Sequence, residues 1–172
     1  MDKTEQKELR KYRADVKKVK ELSEQEMHDL FIKMEDNNDQ FALEKLVKSH
    51  LIYVIEIAKK NNSEILPLND KINEGNLGLL SAVKLYCSLG FRKRNIGFID
   101  WIKWVIKKNI EEALVEQSRL NKIPKNKHSA INMIRRSYAD RERVSWEASL
   151  IQEFMTSYNN VSQDEINDIL IQ

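Results

Sequence analysis

The chain is poor in the residues that interrupt helices. Four glycines and two prolines occur among 172 residues, against average usage of about 7% and 5%. No stretch alternates apolar and polar residues with convincing period two, so strands are not predicted and long helices are. One cysteine, Cys87, rules out an internal disulfide and fits a reducing, cytoplasmic setting. The opening MDKTEQKELRKYR lacks the apolar stretch of a signal peptide. No apolar run approaches the ~20 residues that span a bilayer, so no membrane partner is predicted. The signatures of catalysis are missing too. The only glycine pair, GNLG, falls inside a helical pattern without the strand of a phosphate loop. No histidine and cysteine spacing suits a metal, and no nucleophile has a histidine partner nearby in sequence. The reading is therefore not an enzyme, with no catalytic residue, metal or cofactor. Net charge is only +2 and by itself predicts no partner.

What the chain does contain is 33% charged and 41% hydrophobic residues. A chain of this length suits one domain, or one with a small appendage, and buries roughly 70% of its unfolded surface. Its charge is unevenly spread. Arg92, Lys93, Arg94, Lys103, Lys107, Lys108, Arg119, Lys122, Lys125 and Lys127 make a basic middle, opposed by Asp100, Glu111, Glu112 and Glu116. The stretch after Trp146 is acidic.

Residues 1–20 are lysine-rich and nearly devoid of large apolar side chains. They read as a basic arm, either solvated or helical only with a partner. LSEQEMHDLFIKMED then opens with Ser23 as N-cap and Glu26 completing a capping box, and Leu30, Phe31 and Met34 form its apolar side. DNND is a turn. A helix over 39–60 places Leu43, Val47, Leu51, Val54 and Ala58 on one side and ends in lysines, as the macrodipole prefers. EILPL is a loop, because Pro67 disfavours helix at the residue before it. Asn69 or Asp70 is the candidate cap of DKINEGNLGLLSAVKLY. There Ile72, Leu79 and Val83 form the stripe, with Asp70, Glu74 and Ser81 opposite. CSLGFRKRNIG is a basic loop.

GFIDWIKWVIKKNIEEAL carries the chemistry. At about 100° per residue, Ile99, Ile102, Ile106, Ile110 and Ala113 fall within roughly 80° of one another. Trp101, Trp104, Lys108 and Glu111 cluster on roughly the other side. A flat ring beside cations suits single-stranded nucleic acid, since bases stack on aromatics for about 1–3 kcal/mol each and lysines meet phosphates. A rigid indole also wedges a duplex open. The alternative is that another helix covers the pair. LNKIP ends the segment, and two further helical pieces are predicted at about 126–157 and 162–171, the latter with a Ser162–Glu165 capping box. His28 and His50 read as surface or boundary residues.

The order and spacing of LSEQEMHDLFIKMEDNNDQFALEKLVKSHLIYVIEIAKKN, LPLNDKINEGNLGLLSAVKLY and GFIDWIKWVIKKNIEEALVEQSRLNKIP resemble bacterial RNA polymerase sigma factors of the primary, sigma-seventy type. The resemblance covers roughly residues 21–130 and runs through that family's regions 1.2 and 2 into region 3. It implies an all-α fold, a sigma-factor region 2-like helical bundle with a short C-terminal helical extension. The implied divisions are the basic arm at 1–20, regions 1.2 and 2 at 21–124, and a partial region 3-like segment at 125–172.

The resemblance assigns roles by position. Asp70, Asn73, Glu74, Asn76 and Leu80 become the surface that docks on the beta-prime clamp helices of core RNA polymerase. The residues' own pattern allows an ordinary solvated face there. The aromatic helix becomes the element that melts the promoter −10 region and holds its single-stranded non-template strand. Phe98 falls on a family phenylalanine, Trp101 on the stacking tyrosine, and Trp104 on the first tryptophan of the wedge. Val105 stands where the second tryptophan is usual, and Asp100 replaces a threonine. Lys107 matches an arginine. Lys108 and Glu111 replace glutamine and threonine at base-reading positions, which implies altered −10 specificity, because lysine donates to guanine and a carboxylate accepts from cytosine. Arg92, Lys93 and Arg94 fit phosphate attraction, or else a solvated loop, and Asn126 or His128 falls near duplex contacts. No region 4 pattern is found before Gln172. The expectation is a truncated sigma factor of phage or mobile-element type, with a separate protein supplying that contact. The alternative is a decoy, or appropriator, that occupies the clamp helices and represses transcription.

Overall fold

The computed structural model describes residues 3–92, 96–120 and 149–155. Among them every regular element is a helix and no strand occurs. The chain divides into two compact units, Met1–Val115 and Glu116–Gln172. In the first, five helices run in order: α1 (Lys3–Lys18), α2 (Glu24–Asn37), α3 (Gln40–Lys60), α4 (Leu68–Ser88) and α5 (Phe98–Leu120), the last of which continues past the unit boundary. In the second, helix 149–155 buries Leu150, Ile151, Phe154 and Met155. The remainder of the helical pieces predicted at 126–157 and 162–171 lies outside the described residues, as do Asn126 and His128.

Local chemistry fixes most boundaries. At the start of α2 the Ser23 hydroxyl accepts from the Glu26 amide at 3.2 Å, and the Glu26 carboxylate accepts from the Ser23 amide at 2.8 Å. Two orphan donors are thereby satisfied, as the sequence predicts. These bonds to Ser23, together with nearby Lys20, hold the Glu26 carboxyl below its ordinary pKa. Asn38 ends the helix in the left-handed region at φ 49°, which asparagine tolerates better than most residues. The next residue, Asp39, caps α3 by accepting from the amides of Phe41 and Ala42.

The cap of α4 differs from expectation. The helix begins at Leu68, after Pro67, and neither Asn69 nor Asp70 supplies a side-chain cap. Both instead lie inside the first turn, where the Asp70 charge complements the helix dipole. At the other end, Gly90 adopts φ +61°. Its amide donates to Cys87 O, and the Phe91 amide donates to Tyr86 O, each at 3.2 Å. This is a Schellman motif, in which only the glycine position requires left-handed backbone. The Tyr86 and Phe91 rings close it at 5.9 Å.

Two expectations about packing also change. The segment at 1–20 is not a solvated arm: α1 packs on α3, burying Leu9 and Val16. Few apolar residues suffice because they fall seven apart, on one side of the helix. On α3 the buried set is Ala42, Leu43, Leu46, His50, Val54, Ile55 and Ala58, while Val47 and Leu51 are only half-buried. Helices α1, α2 and α4 all pack on α3, so its covered arc is wider than a single stripe. That arc takes in His50, which is buried rather than at the surface. Its Nδ1 lies 2.7 Å from Leu46 O, and burial lowers its pKa.

The core reaches α5 through two glycines three residues apart. A Cβ on Gly75 would lie 2.7 Å from Val54 Cγ1 and 3.4 Å from both Ile106 and Ile110. A Cβ on Gly78 would meet the Asn109 side chain at 2.9 Å. The bare backbone of α4 thus lets α5 lie directly against it.

Candidate nucleic-acid and polymerase interfaces

Helix α5 buries Phe98, Trp101, Ile102, Val105, Ile106 and Ile110. The expected stripe is therefore rotated, with Ile99 and Ala113 left half-buried. At about 100° per residue, Trp101 lies roughly 100° from Ile102 but only about 40° from Val105. A large enough hole on that flank makes it core. Phe31, Tyr86, Phe91 and Phe98 supply the hole as a cluster of tilted and edge-to-face rings, and Trp101 meets Phe91 at 5.0 Å. Its indole N–H donates to Ala82 O at 2.8 Å, so the one polar atom it brings inside is satisfied. The side chain is 0% exposed. The expectation that both tryptophans face outward fails for Trp101, which is sealed, while Trp104 is half-buried.

Trp104 lies about 60° further round the helix. Its ring stacks on that of Trp101, with centroids 6.2 Å apart and planes 20° from parallel. The Lys108 ammonium lies 5.5 Å from the Trp104 centroid. Asp100, Lys103 and Lys107 are exposed around it. Lys107 faces Glu111 one turn on, at 3.7 Å. Lys103 reaches across to α3 and sits 4.7 Å over the Tyr53 ring. Periodicity within α5 could not show this second cation–aromatic pair, because its halves are 50 residues apart in sequence. Val105 is 0% exposed; a tryptophan in its place would have to find room in the core.

The basic loop divides. Arg92 is not a free cation: its Nε and Nη2 donate to the two Glu35 carboxylate oxygens at 3.1 and 2.7 Å, and Nη1 lies 3.2 Å from His28 Nε2. A bidentate, partly buried pair of this kind holds the loop to α2 rather than waiting for phosphate. Nearby, burial and Glu35 push the Cys87 thiol up to about 12, which leaves it a protonated core residue. Lys93 and Arg94 lie outside the described residues.

On α4 the five residues assigned to polymerase docking spread across one side. Asp70 and Asn73 are exposed, while Glu74, Asn76 and Leu80 are half-buried. Asn76 is already engaged, its Oδ1 accepting from the Tyr12 hydroxyl at 3.1 Å. That bond ties α4 to α1. Leu77 is 58% exposed in the middle of this surface. The sequence reading missed it. The available signal was its spacing, four residues after Asn73 and three before Leu80, on one helical face. Lys71, from the same helix, is buried and donates to Asn61 O and Ser63 O, closing the loop after α3.

The unit thus carries a mixed polar and apolar face on α4 and a cation-flanked indole on α5. Comparison with known proteins finds relatives. Part of the chain is 36% identical over 113 residues to the RNA polymerase sigma factor SigA of Mycoplasma genitalium, covering 65% of this chain and 22% of that protein. It is 33% identical over 126 residues to SigA of Clostridium acetobutylicum, covering 73% of this chain and 32% of that one. It is 39% identical over 94 residues to the sigma factor RpoD of Helicobacter pylori, covering 54% and 13%. Its relatives are thus primary sigma factors, and the chain spans less than a third of the length of each of these three. No protein-family model matches the chain. Among the described residues, no helix is long and apolar enough to cross a membrane.

Proposed function

We propose that the chain acts as a sigma factor: it binds core RNA polymerase through α4 and engages the single-stranded non-template −10 region through α5. The observation that carries the reading is the division of labour on α5, whose one side locks into the core while Trp104 and its lysines remain at the surface. The likeness to SigA and RpoD proteins supports it. Asp70, Asn73, Glu74 and Leu80, joined by Leu77, would meet the beta-prime clamp helices, with Asn76 bracing the face from within. Trp104 would stack against an unpaired base, and Lys103, Lys107 and Lys108 would neutralise phosphates. Phe98, Trp101 and Val105 support that surface from beneath. Asp100 and Glu111 add carboxylates that discriminate among bases. The chemistry is binding, and strand opening is driven by base capture together with the polymerase.

The test is transcription from a mixed promoter library with purified core polymerase, read by sequencing the starts and by permanganate reactivity of unpaired thymines. Specific starts with open-complex reactivity are the expected result. A second reading is favoured by one observation, the burial of Trp101 and Val105, which leaves Trp104 as the presented ring of the aromatic set. On that reading the chain occupies the clamp helices without opening DNA and represses. Inhibition of a housekeeping sigma factor, with no product of its own, would establish it in place of the first.

A further inference from the structure

Trp104 is not an open stacking platform in the structure. Trp101 lies three residues before it and Lys108 four after, so the two approach the indole from opposite directions along the helix axis. Trp101 stacks at 6.2 Å and is itself immobilised by burial and by its bond to Ala82 O. Lys108 is half-buried and holds its ammonium 5.5 Å from the ring centroid. A lysine at that position lays its methylenes along the ring and its charge over the π face.

We propose that Lys108 is a displaceable cover on Trp104, and that a nucleic-acid base takes its place on the ring. This rests on the nucleic-acid role proposed for α5. The chemistry favours the exchange: a base spreads its ring over the indole, whereas the lysine offers it a cation–π contact and gains a phosphate on leaving. Trp101 cannot be displaced in the same way and acts as a positioning residue that fixes the plane of the ring. The freed ammonium is delivered beside the incoming strand, where it meets a phosphate. Covering the indole until a base arrives also keeps an exposed aromatic face from pairing with other surfaces.

The exchange gives Lys108 two opposed effects that salt separates. Its attraction to phosphate fades as salt rises, while the base's competition with the cover does not fade as steeply. Binding of a fluorescent single-stranded oligonucleotide to the full chain is compared for wild type and Lys108→Ala across ionic strength. The expected result is a crossover: the variant binds more weakly at low salt but on the order of 2- to 5-fold more tightly at high salt, the cover having been removed. Weaker or unchanged binding of the variant at every salt concentration overturns the proposal. A second measurement needs no DNA. In protein labelled with 5-fluorotryptophan, Lys108→Ala should shift the Trp104 fluorine resonance and leave that of Trp101 in place. An unmoved Trp104 resonance overturns the cover even if DNA binds. A shifted resonance with no oligonucleotide binding overturns instead the nucleic-acid role on which the exchange depends.

Discussion

Two tryptophans one turn apart have different work. Trp101 fills the aromatic cluster and Trp104 meets the surface, and their truncations should separate accordingly. Trp101→Ala leaves a large cavity and removes the indole bond to Ala82 O, and should cost about 3–5 kcal/mol of folding stability. Trp104→Ala, half-buried and without a comparable cavity, should cost less than half of that. Urea unfolding of the two variants checks this; equal losses would place both rings in the core. His50 gives a second test at this scale. Its folded pKa is depressed because burial disfavours the imidazolium. Above the ordinary histidine pKa of about 6.5 it is neutral in both states and costs nothing. As pH falls below that value the unfolded chain takes up the proton first, and stability is lost until the depressed folded pKa is passed. The urea midpoint should therefore drop between pH 7 and pH 5, with a shallower slope in His50→Asn.

Helix α4 packs against its neighbours on one side and carries the proposed polymerase face on the other. Its Gly75 and Gly78 read, in the sequence, as part of a family motif attached to polymerase docking. In the structure Gly75 is met by side chains of α3 and α5, and Gly78 by one of α5. Gly75→Ala puts a methyl 2.7 Å from Val54 Cγ1, inside a packed interior, and should destabilise by about 1–3 kcal/mol. Gly78→Ala meets Asn109 Cγ and Nδ2 at 2.9 Å, which can rotate away, and Cβ at 3.0 Å, which cannot, so its effect should be smaller and partly relieved by Asn109→Ala. Thermal melts of the three single variants and the double variant decide this, and a Gly78→Ala loss equal to that of Gly75→Ala would contradict it. The element scale also shows what was legible. The Ser23–Glu26 box and the turn at DNND are visible in sequence because both are local. The face of α5 was not, because Trp101 sits on the flank of its stripe. Whether a flank residue is core depends on the hole left by Phe31, Tyr86 and Phe91, which come from other parts of the chain.

At the scale of the whole molecule, the surfaces proposed for polymerase and for DNA lie on successive helices, and the described ends of the segment between them are pinned. The Schellman end of α4, the Tyr86 bond to Ile96 O at 2.6 Å and the Arg92–Glu35 pair hold that connection. The two activities should then be separable by mutation without unfolding the protein. Glu74→Lys reverses charge on the α4 face and should abolish co-migration with core polymerase in a gel shift. Trp104→Ala should leave co-migration intact while lowering permanganate reactivity at the −10 region. Loss of polymerase binding in Trp104→Ala, with the fold retained by circular dichroism, would contradict this separation.

The sequence by itself determined the all-helical character, the capped start of α2, and the resemblance to primary sigma factors. Scarce glycine and proline, local capping residues and short-range motifs suffice for these, since each depends on neighbours a few residues away. Only the tertiary structure decided which indole is inside, that Arg92 is spent on Glu35, that His50 is buried and that residues 1–20 carry a packed helix. Each of those depends on what a distant segment places against the residue, and helical periodicity carries no information about the shape or charge of the surface that meets it.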